Sequence, residues 1–173
     1  RGSDWRRNPA LFGAAVKYLA ARDHGASIEV FMPYAMRLKA LGEWYVQLLA
    51  ESLGKREDRN GQTVFYGRTP LVAIGTTDMH AQTQEHQEGR LNKVVSFVRV
   101  ADWGVKLLVP HMYDDFDKLA AFSGLDLGLI QNTALEANAE ALTGGATGLR
   151  MPPIDVFGWI LKSDQQKYFA ILV

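Results

Sequence analysis

Apolar residues recur along this chain in two periods, and the points where the period changes outline its elements. Asn8-Pro9 opens the first helical stretch, because Asn caps exposed backbone N–H groups and Pro fits the first turn. Leu11, Ala14, Ala15 and Tyr18 follow at helical spacing, and the helix is predicted to end near His24-Gly25. Ser27 to Met32 (SIEVFM) is a short apolar run with β-branched and aromatic residues, which predicts a buried strand ended by Pro33. Residues 34–54 carry the longest helical pattern. Leu38, Leu41, Trp44, Tyr45, Leu48 and Leu49 build one broad apolar face, and Gly54 stops it.

Residues 55–62 (KREDRNGQ) read as a charged loop with an Asn-Gly turn. Thr63 to Tyr66 and Leu71 to Ile74 are short strands around a turn at Gly67 to Pro70, and residues 78–88 form a polar helix. Lys93 to Val100 (KVVSFVRV) predicts a strand, as does Val105 to Val109. Asp114 to Phe122 reads as a short helix, and 127–142 as an Ala/Leu/Glu helix closed by Gly144-Gly145. Gly148 to Ile154 is a final strand candidate, with Asp155 capping a last helix to Val173. Strands alternating with helices imply an α/β fold whose mostly parallel sheet is covered on both faces.

A length of 173 residues suits one domain with its own core. The chain has no cysteine, which excludes a disulfide framework, a Cys-based zinc site and a thiol nucleophile. A cysteine-free chain is compatible with a reducing compartment, and the expected location is cytoplasmic. With 19 basic and 19 acidic residues the formal charge is zero, which argues against a nucleic-acid binder held by phosphate neutralisation. No apolar run is long enough to span a bilayer, so no membrane partner is expected. The opening RGSDWRRNPA lacks the apolar core of a signal peptide. It also lacks an initiator Met and the chain ends abruptly on FAILV, so a piece of a longer protein is expected.

Glu51 ends the long amphipathic helix. A solvated glutamate is the plainest reading, and Lys55 at i+4 can pair with it. A carboxylate at a helix C-terminus opposes the macrodipole, however, and an environment that raises a carboxyl pKa suits a general base. His80 follows Gly75-Thr76-Thr77-Asp78 at the end of an apolar strand, where α/β folds place ligands. A lone histidine is more often structural or exposed. A metal site through His80, Glu85, His86 and Glu88 is the rival reading. Position i+4 from His80 is Gln84, and the segment lacks the HExxH arrangement, so a solvated polar helix fits better and no metal is expected. Asp114, Asp115 and Asp117 fall short of a calcium loop. Gly144, Gly145 and Gly148 lack the Lys-Ser/Thr of a phosphate loop. Trp44, Tyr45, Phe65, Phe97 and Phe157 read as core.

Residues 30–55 (VFMPYAMRLKALGEWYVQLLAESLGK) and 67–100 (GRTPLVAIGTTDMHAQTQEHQEGRLNKVVSFVRV) resemble the second sugar-isomerase (SIS) domain of the glucose-6-phosphate isomerase family. The strings ESLGK and GTTDMH, in that order and at that separation, carry the resemblance. It implies a three-layer αβα SIS-type domain over residues 1–173, the C-terminal half of a two-domain enzyme. That enzyme would interconvert glucose 6-phosphate and fructose 6-phosphate. By the resemblance Glu51 is the base that moves a proton between C1 and C2 through a cis-enediol. His80 assists ring opening, and Gln47 contacts the sugar phosphate. The resemblance also implies a homodimer in which the histidine reaches the neighbouring subunit's site, with no cofactor. The family's first SIS domain, its GGR[FY]S arginine and its C-terminal catalytic lysine are absent, and residues 158–173 read as a helix leading towards the last of these. Two alternatives stay open: a non-catalytic SIS module that binds a phosphosugar, and a structural dimerisation domain.

Overall fold

Asn8 and Gly25 bracket the first helix as their chemistry requires. Helix α1 (Pro9–His24) starts where the Asn8 side chain accepts from the backbone N–H of Leu11 at 3.2 Å. It stops at Gly25, whose φ of 67° is strained for any residue with a Cβ. The computed structural model describes residues 8–113, 116, 118–144, 161–162 and 168–172.

Strand β1 (Ile28–Pro33) follows, as long as the predicted run of 27–32 but shifted by one residue, so that Pro33 is its last residue rather than the first beyond it. A single 3-10 turn (Met36–Leu38) leads into α2 (Lys39–Leu53). The charged stretch that reads as a loop in fact begins with strand β2 (Lys55–Glu57), which pairs antiparallel with β3 (Thr63–Tyr66) as a separate hairpin. Asp58 closes that hairpin by accepting from the backbone of Asn60 and Gln62. Then come β4 (Thr69–Val72), α3 (Met79–Glu88), β5 (Lys93–Val100) and α4 (Leu127–Gly144).

β1 lies between β4 and β5, parallel to both, with Val30 opposite Leu71 on one side and Val95 on the other. Nearly every residue of β1 and β5 is buried, as expected for strands covered on both faces. On one face Val30, Met32, Tyr34, Val95 and Phe97 pack with Leu135 and Leu142 of α4 and Met79 of α3. On the other Phe31, Ala35, Leu38, Val98 and Val100 pack with Tyr45 of α2 and with Trp103. The path β1–α2–β4 crosses one face and β4–α3–β5 returns over the other, so the expected three-layer αβα class is the one observed.

Strand β4 (Thr69–Val72) starts two residues before the predicted Leu71–Ile74 and includes Pro70. Three further predicted elements also fail. The last helix to Val173 is replaced by strands: β6 (Leu161–Lys162) and β7 (Tyr168–Leu172) extend the sheet to the order β4-β1-β5-β7-β6. β7 runs antiparallel to β5, with Val98 opposite Ile171. A short apolar run such as YFAIL fits helix or buried strand equally, and the open edge of β5 decides. Val105 to Val109 forms no strand, only an isolated bridge between Leu108 and Asp126. Among the described residues of the helix placed at Asp114 to Phe122, a 3-10 turn at Ala120–Phe122 forms. Asp114, Asp115, Asp117, Gly145, Gly148, Asp155 and Phe157 lie outside the described residues. No helix among the described residues is long and apolar enough to cross a membrane.

The broad apolar face assigned to α2 is divided. Leu38 is buried and Tyr45 half-buried, whereas Leu41, Trp44 and Leu48 lie on the outer surface. Gly42 is the buried residue of α2, because a Cβ there would collide with the Val72 side chain. Trp44 and Phe65 are therefore not core, while Phe97 is.

Candidate functional site

Glu51 stands in the last turn of α2, exposed, with Gln47 one turn earlier on the same face and also exposed. Ser52 Oγ donates to Glu51 Oε2 at 3.1 Å. Lys55 does not hold the carboxylate. Its Nζ reaches the Glu51 main-chain carbonyl at 3.5 Å, so it serves the helix end instead.

His80 is the second residue of α3 and is exposed. The turn before it is tightly held. Gly75 donates to the carbonyl of Pro33 at 3.0 Å. A Cβ at Gly75 would collide with the Tyr34 ring, so only glycine lets the chain leave β4 beside that ring. Asp78 accepts from the Ile74 N–H at 2.6 Å, which commits this carboxylate to the turn rather than to a ligand. Behind the helix, buried Asn138 donates to the Tyr34 hydroxyl at 2.9 Å and lies 2.9 Å from Thr83 Oγ1. Burial raises the Tyr34 pKa, so its phenol stays protonated within this network.

Glu51 and His80 are not brought together within one chain. α2 leaves the C-terminal end of β1 and runs back for about 22 Å, which delivers Glu51 to the edge where the parallel strands begin. Gly54, just beyond, lies against Gly67 before β4. His80 instead follows the C-terminal end of β4. The stretch from Thr69 to Ile74 separates the two edges by roughly 17 Å.

The polar run after His80 also separates. His86 is buried, with Nδ1 3.3 Å from Glu85 Oε2, and Lys93 Nζ lies 3.1 Å from Glu85 Oε1. Among the described residues no cluster of three or more His, Cys, Asp or Glu is arranged to hold a metal. Burial holds the His86 pKa below that of an exposed histidine. Its neutral form is thus favoured by folding. The contribution is fully present above the unfolded-state pKa and is lost as pH falls through the depressed folded value. Unfolding free energy measured in urea should therefore fall from near pH 6.5 downward, by up to about 1.4 kcal/mol per pH unit. His86→Gln should flatten that slope, and equal slopes in both proteins would refute the assignment.

One cluster went unnoticed in the sequence. Glu29 is fully buried on β1. It meets Lys17 Nζ at 2.5 Å, Arg68 Nε at 3.1 Å and the Tyr45 hydroxyl. Burial, then the neighbouring Glu29 charge, pushes the Tyr45 phenol pKa up, so it remains a donor. A glutamate inside the apolar run SIEVFM was the available signal. An open cleft of about 520 Å³ lies where β5 ends, lined in part by Trp103, Lys106, Asp126 and Asn132, and it contains neither Glu51 nor His80.

The sheet, parallel through β4, β1 and β5, its two helical layers and the helix-borne Glu51 and His80 at its edges define a three-layer αβα domain. No family model matches the chain. A glucose-6-phosphate isomerase of Carboxydothermus hydrogenoformans is 39% identical over 117 residues, which are 68% of this chain and 25% of that protein. One of Rubrobacter xylanophilus is 39% identical over 137 residues, 79% of this chain and 30% of that protein. The crystal structure of a glucose-6-phosphate isomerase from Chlamydia trachomatis superposes with a TM-score of 0.63 over 91% of this chain and 26% of its own. At 18% identity it speaks for the fold alone. Over its matched residues the chain belongs to the glucose-6-phosphate isomerase family, and it spans between a quarter and three tenths of the length of these two relatives.

Proposed function

We propose that this chain is the C-terminal sugar-isomerase domain of a two-domain glucose-6-phosphate isomerase. It supplies Glu51, Gln47 and His80 to sites that a second copy completes. The observation that carries the reading is the presence of ESLGK and GTTDMH in a chain 39% identical to proteins of that name. The separation of Glu51 and His80 supports sharing, since one copy's carboxylate needs another copy's histidine.

The residue types suit the chemistry. In the open-chain aldose Glu51 takes the proton from C2 as the C1 carbonyl oxygen gains one, giving a cis-enediol. The resulting carboxylic acid then returns a proton to C1 as the C2 hydroxyl becomes the ketone. One carboxyl group serves as base and then as acid, and the sugar's atoms and electrons balance without an outside reductant. His80 handles the proton exchanged between ring oxygen and anomeric hydroxyl during opening, a task suited to an imidazole near neutral pH. Gln47, a turn from Glu51, donates to or accepts from a sugar hydroxyl.

The test is conversion of fructose 6-phosphate to glucose 6-phosphate, followed through a coupled dehydrogenase. The full-length product of the gene should turn over, and the 173-residue chain alone should be silent. A full-length product that binds sugar phosphate without turnover would favour a regulatory module and overturn the isomerase reading.

A further inference from the structure

Glu29 is fully buried, and a buried ion pair adds little stability over apolar residues of the same volume. What the carboxylate does supply is geometry. Three separate elements meet on it. Oε1 accepts from Lys17 Nζ of α1 and from the Tyr45 hydroxyl of α2, and Oε2 accepts from Arg68 Nε just before β4. Lys17 Nζ also donates to the Tyr45 hydroxyl at 2.8 Å, which closes the group. Charge-assisted hydrogen bonds fix direction, whereas apolar contact does not.

Two of these ties lead to the carboxylate end of α2. Tyr45, less than two turns before Glu51, stacks on Phe31 with ring centroids 4.7 Å apart, and its hydroxyl bond sets the rotation of the helix about its axis. Arg68 anchors the segment that receives the helix end. In that segment Tyr66 pairs with Lys55, and a Cβ on Gly67 would stand 3.5 Å from Gly54 Cα. Apolar packing alone leaves this end of the helix loosely determined. Gly42 is the buried residue of α2, while Leu41, Trp44 and Leu48 are exposed. Glu29 is also the second residue of β1, at the sheet edge to which α2 delivers Glu51.

We infer that Glu29 is a positioning residue for Glu51. Through Tyr45 and Arg68 it fixes the rotation and the last turn of α2, and so the direction of the carboxylate that moves the substrate proton. It touches no substrate and acts through the helix. The catalytic consequence rests on the isomerase reading, while the fixing of the turn rests on the contacts alone.

The test is a triple variant of the full-length product of the gene, Lys17→Met with Glu29→Leu and Arg68→Met, which removes the charges without leaving one unpaired. It should recover most of the wild-type urea midpoint, yet kcat should fall about 10–100-fold with KM within about threefold of wild type. Amide hydrogen exchange, read by mass spectrometry, should quicken at residues 50–54 and stay unchanged in α4. Tyr45→Phe keeps the ring on Phe31 and deletes only the hydroxyl. It should show the same changes in smaller measure, and it takes over the test should the triple variant unfold. In a Glu51→Gln background neither variant should lower kcat further, because both act through that carboxylate. Wild-type kcat in the folded variant would overturn the inference, as would a loss that simply multiplies with that of Glu51→Gln. If Glu51→Gln itself leaves turnover intact, the isomerase reading falls instead. Exchange at residues 50–54 then decides alone: faster exchange upholds the fixing of the turn, and unchanged exchange overturns it.

Discussion

Glu51→Gln in the full-length product of the gene is expected to lower kcat by about 10²–10⁴-fold, the usual range for loss of a positioned acid–base group. The amide is close in size, so KM for fructose 6-phosphate should change little, and the loss belongs to the transition state. The structure makes the substitution clean. Glu51 is exposed and its side chain accepts a hydrogen bond from the neighbouring Ser52 Oγ, so the fold depends little on it. Steady-state rates with wild-type urea stability would establish the role. Turnover within a few-fold of wild type would remove Glu51 from the chemistry. His80→Asn in the same assay should slow ring opening, so the defect should be smaller with an aldose phosphate too short to close a ring.

Glu29→Leu is expected to cost about 3–5 kcal/mol of folding stability. Lys17 and Arg68 have side chains only 14% and 7% exposed, and both face Glu29, so removing the carboxylate leaves two cations buried without their counter-charge. The Tyr45 hydroxyl loses its acceptor as well. In a domain of this size the loss corresponds to a fall of roughly 6–20 °C in Tm. Replacing all three charged groups by apolar residues should recover most of it, because the penalty lies in the unpaired charges rather than in the missing bridge. Urea titrations of the single and triple variants decide. A single variant within about 1 kcal/mol of wild type would show that water reaches the cluster.

Glu29 marks where sequence reading stops. A charge inside an apolar run announces that something is unusual, but its partners come from α1, α2 and the turn before β4, at separations of 12 to 39 residues. Periodicity reports only what lies on one element. The same limit explains α2. Its pattern gives a helix with many apolar residues, and it cannot say which of them meet the sheet. Tyr45 stacks on Phe31 at 4.7 Å while Trp44, one residue earlier, faces out. YFAIL failed for a related reason, since the choice between helix and strand lay with the vacant edge of β5.

The sequence by itself determined the ends of α1, the strand at 93–100, the strand read at 27–32 and the helix read at 78–88 to within a residue, and that Gln47 and Glu51 ride on the long helix while His80 follows the turn after an apolar strand. These depend on caps, local period and side-chain chemistry, all carried by neighbouring residues. Tertiary structure alone decided that Glu51 and His80 stand at opposite edges of one sheet, that Lys55 serves a carbonyl rather than the carboxylate, and that Leu41, Trp44 and Leu48 of α2 face out. Those outcomes depend on which elements lie side by side, and the free energy that sets this comes from burial and charge pairing between residues far apart in the chain.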